Sequence, residues 1–351
     1  NMAYTTIDDP TEYYEQFEYQ GNETARSFKN LKFSPGLNWT KPYNNSGAHV
    51  GTDSQGGYSR FIELSSNGAG QTGSNNITSL DTNGYSLGTA NDWNIAADTF
   101  VSYNWKAGSS TTDVAESGSN PGSAHKAETT AGFSVMLYTG TGSAGNVTHG
   151  LGVIPKFMMV KNRDVNDTWA VYHYSKGPNF GADLNSTAVF ADDAGLWNDT
   201  TPTATVFSVG DDHRVNADGE KYIAYLWNQV HGYSKMDYYI GNGNANGQFV
   251  HLGFKPAWLM IKSITTDAED WWIFDTVQNP NIGTQNRLGL STGNAVTTNV
   301  ASGADNVDLL SNGFKMVGLG GGANTHDLVY MYVAFAESPF VTSGAAATTG
   351  R

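Results

Sequence analysis

Short apolar stretches separated by Gly, Asn, Asp and Ser recur along the whole chain. Tyr58-Ser-Arg-Phe-Ile-Glu-Leu64 and Thr99-Phe-Val-Ser-Tyr-Asn-Trp105 carry aromatic and branched residues in alternation. That is the pattern of a half-buried strand. Lys221-Tyr-Ile-Ala-Tyr-Leu-Trp227 and Val329-Tyr-Met-Tyr-Val-Ala-Phe-Ala336 are apolar at nearly every position. They predict central strands covered on both faces. Three stretches share one frame: Leu31 to Lys41 with Pro35, Leu151 to Lys161 with Pro155, and Leu252 to Lys262 with Pro256. In each, Pro stands four residues after Leu and Lys ten residues after it. Each follows an aromatic-x-Gly turn, at Tyr19-Gln-Gly21, Tyr138-Thr-Gly140 and Tyr239-Ile-Gly241. A frame copied at such steady spacing is an internal repeat.

The repeat sets the expected organisation. Residues 17–107, 132–230 and 231–340 form three units, 108–131 a linker or extended arm, and 341–351 a frayed tail. The second and third units open alike, on Gly132-Phe-Ser134 and Gly232-Tyr-Ser234, and each has a Trp-led strand at Trp169 or Trp271. Many short strands per unit favour a β-sandwich or jelly-roll, and the unit is too long for a propeller blade. The repeated Pro belongs at a strand entrance, where a missing N–H costs no ladder bond. The repeated Lys is expected to end its strand in water. Ahead of the first unit, residues 8–17 read as a short helix within a 1–16 lead-in, with Asp9 as N-cap and Pro10 at the first helical position.

Composition supports an all-β protein. There are 41 Gly, 18 Tyr, 16 Phe and 9 Trp, and only 15% of residues are charged, against about 25% in an average domain. Glycine supplies turns and aromatics fit a pleated face. The net charge of -14 argues against binding nucleic acid. Without cysteine there is neither a disulfide framework nor a thiolate metal site. No apolar run is long enough for a membrane helix, and the first residues lack the form of a secretory signal.

Candidate chemistry is sparse. The acidic clusters Asp192-Asp193, Asp211-Asp212 and Asp267-Ala-Glu-Asp270 fall in loops and read as solvated turn residues. His149 and His251 stand at nearly matching places, just before Leu151 and Leu252, which predicts a repeated structural hydrogen bond. The loops Asp164-Val-Asn-Asp167 and Asp305-Asn-Val-Asp308 offer oxygen ligands to Ca²⁺ without the EF-hand spacing. Gly318-Leu-Gly-Gly-Gly-Ala323 lacks the ending of a phosphate loop and reads as a hairpin turn. No other cofactor is indicated. For binding, Trp197 with Asn198 and Asp199, and Trp93 in Asn91-Asp-Trp-Asn94, are Trp residues in polar loops. An exposed ring beside Asn and Asp is the local pattern of a carbohydrate site, although a Trp plugging the end of a sandwich fits equally well. Trp169, Trp227, Trp258, Trp271 and Trp272 lie in strands and belong to the core.

Further motifs are Met2-Ala-Tyr-Thr-Thr-Ile-Asp-Asp-Pro10, Ser86-Leu-Gly88, Tyr103-Asn-Trp105-Lys-Ala-Gly108, and Tyr138-Thr-Gly-Thr-Gly142. His149-Gly-Leu-Gly-Val-Ile-Pro155-Lys, Val160-Lys-Asn-Arg163, Tyr222-Ile-Ala224, Ser311-Asn-Gly-Phe-Lys315 and Ala334-Phe-Ala-Glu-Ser-Pro339-Phe complete the set. Together they cover nearly the whole chain, and the frame resembles the tandem β-domain of tail-fibre and other structural proteins of marine bacteriophages, cyanophages and pelagiphages among them. The resemblance is weakest in the first copy, where Gly-Leu-Asn-Trp-Thr follows Pro35. It implies a virion protein with a lectin-like sandwich fold, displayed on the tail or capsid exterior for host contact, and it brings no catalytic residues. The expected partners are a host-surface glycan or envelope protein and other virion proteins. One weak sugar site gains from multivalency, so a homo-oligomer, a trimer above all, is expected. Other readings are a capsid decoration or head-fibre protein that binds no ligand, and a glycan-degrading tail enzyme.

Overall fold

The structure is a computed structural model that describes residues 4–266, 269–280, 286–291, 293–295, 306–318 and 322–348. It is all-β, and every strand pairing in its sheets is antiparallel. Three segments of the chain build large sheets with one strand order: opening, closing, proline and fourth strand. In the first these are Tyr14–Gln20, Thr99–Lys106, Pro35–Pro42 and Val50–Asp53. In the second they are Phe133–Thr139, Lys221–Trp227, Phe157–Asn162 and Ala170–His173. In the third they are Ser234–Ile240, Val329–Pro339, Phe254–Ser263 and Trp272–Asp275. A smaller sheet accompanies each, such as Gly145–Thr148 with Val206–Val209 in the second. Pro35 opens its strand, and Pro256 sits at a register shift against Ala336, both places where a lost N–H is tolerated.

Strand alternation sends each large sheet's side chains two ways. In the second segment Met158 and Val160 face outward and pack with Val147 and Phe207 of the smaller sheet. Phe157 and Met159 face inward, and there the three segments meet: Trp39 and Trp105, Met159 and Trp227, and Trp258 and Phe335 belong to one buried cluster. The expectation of separate tandem units therefore needs correction. The repeats exist, but they close around a common core. Trp105, Trp227 and Phe335 hold the same register position on the three closing strands. The Trp105 ring lies 6.0 Å from Trp227 and 5.4 Å from Phe335.

Three further expectations change. The lead-in helix is one 3-10 turn, Pro10–Glu12, capped by Asp9 as expected. Tyr14 then enters a strand because its ring is needed beside Trp105 and Phe335. The stretch 108–131 is not a bare linker: Thr112–Val114 and Ser123–Glu128 extend the second segment's sheet beyond its opening strand. The repeated lysines do not reach water. Lys41, Lys161 and Lys262 are fully buried. Lys161 Nζ donates to Asn67 O at 3.4 Å and Asn162 O at 2.8 Å, and Lys262 Nζ donates to Thr187 O at 2.7 Å and to Glu269 O. Lys41 turns to Pro42 O and to Asn45 O at 3.2 Å. Burial lowers the pKa of Lys41 and Lys161 to about 8.

The seams between segments are hydrogen-bonded in a ring. His49 Nδ1 accepts from Trp39 Nε1 at 3.0 Å, so its Nε2 carries the proton and donates to Gly289 O of the third segment at 3.3 Å. Trp169 Nε1 donates to Glu63 O of the first at 2.9 Å. Trp271 Nε1 donates to Ser186 O of the second at 3.1 Å. Tyr225 OH donates to Asp53 at 3.0 Å, and Tyr103 OH to Asp275 at 2.7 Å.

Because the core is shared, unfolding should be one cooperative transition. We expect calorimetry of residues 1–351 to give a single peak, and an excised 132–230 fragment to remain unfolded. Separate transitions for the three segments would contradict the common core.

Buried histidines predict acid sensitivity. Burial lowers the pKa of His149 to about 4 and of His173 to about 3, and drives that of His49 well below the ordinary value. In the unfolded chain each returns to about 6.5. As pH falls below 6.5 the unfolded state takes up protons that the folded state refuses, so stability is lost toward pH 4, by about 3 kcal/mol for His149 alone. Asp53 and Asp275, whose pKa values burial raises, act in the opposite sense. Denaturant midpoints at pH 7 and pH 4.5 should differ less in His149→Gln than in the wild type, even though the variant is weaker at pH 7.

Candidate functional site

The four proposed sugar-binding residues divide in two. Trp93 and Trp197 are buried in the interior, 0% and 1% exposed. Trp93 closes the first segment's outward core edge-on to Phe61, at 5.1 Å. Trp197 closes the second's against Tyr172, at 5.9 Å. Of the two readings, exposed ring or end plug, both tryptophans take the second, because each lies on a four-residue helix, Asn91–Asn94 or Ala194–Trp197, that tucks it inward. Asn198 and Asp199 are exposed, at φ 50 and φ 46. Asn198 borders a shallow depression of about 400 Å³ with Ser143 and Asp211.

The aromatic-x-Gly turns are structural. Tyr19, Tyr138 and Tyr239 OH donate to the carbonyls of Trp93, Val215 and Ala323, at 2.8, 2.6 and 2.7 Å. A Cβ on Gly21, Gly140 or Gly241 would come within 2.0–2.2 Å of a backbone oxygen, so only glycine fits. Asn94, Asn216 and Asn324 follow those carbonyls. Their Oδ1 atoms accept from Asn22, Thr141 and Asn242 N, and their Nδ2 atoms donate to Gly88, Gly210 and Gly318 O at 2.6–2.8 Å. This threefold Asn brace was missed, although its signal is in the chain: each Asn stands nine residues before the closing-strand position of Tyr103, Tyr225 or Val333.

The acidic turns are more than solvated loops. Asp193 and Asp212 cap short helices and pair with Arg214, which also reaches Asp183 at 3.4 Å. Buried Asp270 accepts from Trp271 N at 2.7 Å and Ser291 N at 2.9 Å. Asp267, Asp305 and residues 319–321 of the glycine run lie outside the described residues. Asp167 of the Ca²⁺ candidate accepts from His213 Nδ1 at 2.6 Å. No group of three or more His, Asp or Glu that could hold a metal occurs among the described residues. The paired histidines part company: His149 is buried, accepts from Leu151 N at 3.1 Å and meets Thr203 O at 3.2 Å, whereas His251 is exposed. Trp169, Trp227, Trp258 and Trp271 are core, as expected; Trp272 is half-buried under the Arg287 guanidinium, 3.6 Å from the ring centre.

One recess was not foreseen. It measures about 560 Å³ and lies on the second segment, where the added strands carry the sheet's inward face past the shared core. Leu137 and Ala124 form an apolar floor, Arg163 and Lys221 one wall, and Asp113 the opposite one. Arg163 is 8% exposed, and among the described residues its guanidinium has no hydrogen bond or ion pair. Asp53 attracts it from further off, while burial lowers its pKa. An arginine remains a cation under such pressure.

These features define an all-β protein of three like-ordered sheets around one core, with a recess at the second segment's corner and no helix among the described residues long and apolar enough to cross a membrane. The chain belongs to the family described as "Domain of unknown function (DUF7483)", whose model matches residues 9–339. No curated protein and no solved structure matches it.

If Trp93 and Trp197 are plugs, removing them costs stability. We expect Trp197→Ala to lower the unfolding free energy by about 3–5 kcal/mol in a denaturant titration. A variant as stable as the wild type would put the ring back on the surface.

Proposed function

We propose that this protein is a non-catalytic virion structural protein of a bacteriophage, a tail-fibre or receptor-binding subunit that contacts a glycan on the host surface. The observation that carries the reading is the thrice-copied frame, with the motifs that resemble marine phage structural proteins, spread over nearly the whole chain. In this reading each large sheet with its smaller partner is a lectin-like, jelly-roll-related sandwich. The fused core supports it physically, because a rigid body with its chemistry at the corners suits recognition under mechanical load. Display on the particle exterior, contact with other virion proteins and homo-oligomerisation, a trimer above all, belong to the same proposal.

A second reading, a capsid decoration or head-fibre protein without a ligand, gains from the burial of Trp93 and Trp197. An enzyme that cuts host glycan is less favoured. The buried carboxylates with raised pKa, Asp53 and Asp275, each face a tyrosine at a seam between segments, where no polysaccharide chain could lie.

The test is antibody labelling of particles by electron microscopy, together with binding of purified protein to host cells. We expect label on the tail or capsid exterior and saturable binding without release of sugar fragments. Depolymerised host polysaccharide, or a protein absent from the particle, would overturn the proposal.

A further inference from the structure

The corner that holds the recess has two counterparts in the repeat. The backbone bond from Arg163 N to Lys221 O, at 2.8 Å, recurs from Tyr43 N to Thr99 O at 2.9 Å and from Ile264 N to Val329 O at 3.0 Å. Beside these pairs stand Thr139, Gln20 and Ile240 at matching register. One corner is therefore polar and uncharged at these positions and one apolar, and among the described residues only the second places two cations beside an open cavity, with the Asp164 carboxylate accepting from Lys221 N at 2.9 Å. Among the described residues the same corner alone has its sheet widened, by Thr112–Val114 and Ser123–Glu128, which supply the remaining walls. Repetition explains none of this, since fold maintenance evidently works with Tyr and Thr or with Ile and Val.

We propose that this recess binds the carboxylate of an acidic sugar, with Arg163 and Lys221 holding the carboxylate and Leu137 with Ala124 beneath the ring. The choice of a sugar as the carboxylate's carrier rests on the host-glycan reading above. The preference for an anion rests on the recess itself. Arg163 is largely buried, and among the described residues its guanidinium makes no ion pair, since Asp53 across the seam attracts it only from beyond contact. A bound carboxylate would offset the desolvation that remains, and the guanidinium fork suits a bidentate carboxylate. Lys221 is exposed and adds charge at the mouth. Asp113, on the far wall, is placed to accept from sugar hydroxyls and repels a second carboxylate. Thr139 adds a further hydroxyl partner.

The experiment is an NMR titration of the full chain with galacturonate, its neutral methyl ester and galactose. Galacturonate should shift amides near residues 113–115, 137–139 and 221 with a millimolar dissociation constant, roughly the strength of one weak sugar site. The ester and galactose should bind about tenfold more weakly or worse. Lys221→Gln should weaken galacturonate several-fold, and added salt should do the same. Arg163→Gln should abolish binding. Because Arg163 is buried, Arg163→Lys and the thermal midpoint of each variant separate loss of the site from loss of the fold. Equal binding of acid and ester, unchanged binding by a folded Lys221→Gln, or no shift with galacturonate would overturn the proposal. Host-cell binding by the same proteins keeps the two ideas distinct. Cells bound without uronate binding would sink only the recess. Uronate bound by a protein that ignores cells would sink only the host-contact reading.

Discussion

The contact on which the structure depends is the meeting of Trp105, Trp227 and Phe335 at the centre. Each occupies one register position on the closing strand of a different segment. The inward face of each large sheet is as apolar as its outward face, and the outward face already has a smaller sheet over it. A single segment would leave several large side chains in water, among them Phe157, Met159 and Trp227 in the second. Three segments closing on one another remove all of these faces at once. Burial of the strand-end lysines follows from that closure. Lys161 continues the inward series Phe157, Met159, Lys161, so once the seam closes its ammonium can find only carbonyls, and two of the three lysines find one on the next segment.

The seams also show how a repeated frame tolerates change. The last residue of each fourth strand is Asp53, His173 or Asp275. Across two of the seams Asp53 meets Tyr225 and Asp275 meets Tyr103; the matching register position in the third segment is Val333. Where a tyrosine hydroxyl is available the facing residue is Asp, as a satisfied acceptor. Where valine removes the donor, an aspartate would be a buried charge without a partner, and neutral His173 stands there instead. Its pKa, held near 3 by burial, keeps it uncharged at any ordinary pH. The loss of the tyrosine donor on one side of the seam thus goes with the loss of the buried carboxylate on the other.

Much of the fold was legible because its signals are local. Alternation gave the strands, the Leu–Pro–Lys frame gave the repeat, and Asp9 with Pro10 gave the first turn. What failed was non-local. Tyr14 was read into a helix because its need for Trp105 and Phe335 cannot be seen from its neighbours. The stretch 108–131 lacks periodicity since its two strands sit at a sheet edge, where few side chains are buried. Lys161 looked like a strand end because charge is normally taken to mean solvent. The parity of its position was the better guide. At Trp93 and Trp197 the polar neighbours fitted an exposed ring and a buried plug equally, because Asn94 and Asp193 are polar in order to brace the backbone that buries those rings. The recess escaped notice because its walls come from residues 113–115, 124, 137, 163 and 221, which no motif joins.

Fusing three copies into one chain has a consequence that a symmetric trimer lacks. In a homotrimer every corner is the same, so a substitution made for a ligand appears three times. Here the frame residues that form the seams are constrained together, while each corner varies alone. The first presents Glu18 and Tyr43, hydrogen-bonded to one another at 2.5 Å. The third presents Tyr238, Ile240 and Phe249, about half exposed. The second carries Arg163 and Lys221 in a chain whose net charge is -14. A cationic recess on so acidic a body is a local departure from the surface around it. Departures confined to one of three otherwise equivalent places are where selection for binding, rather than for folding, leaves its trace.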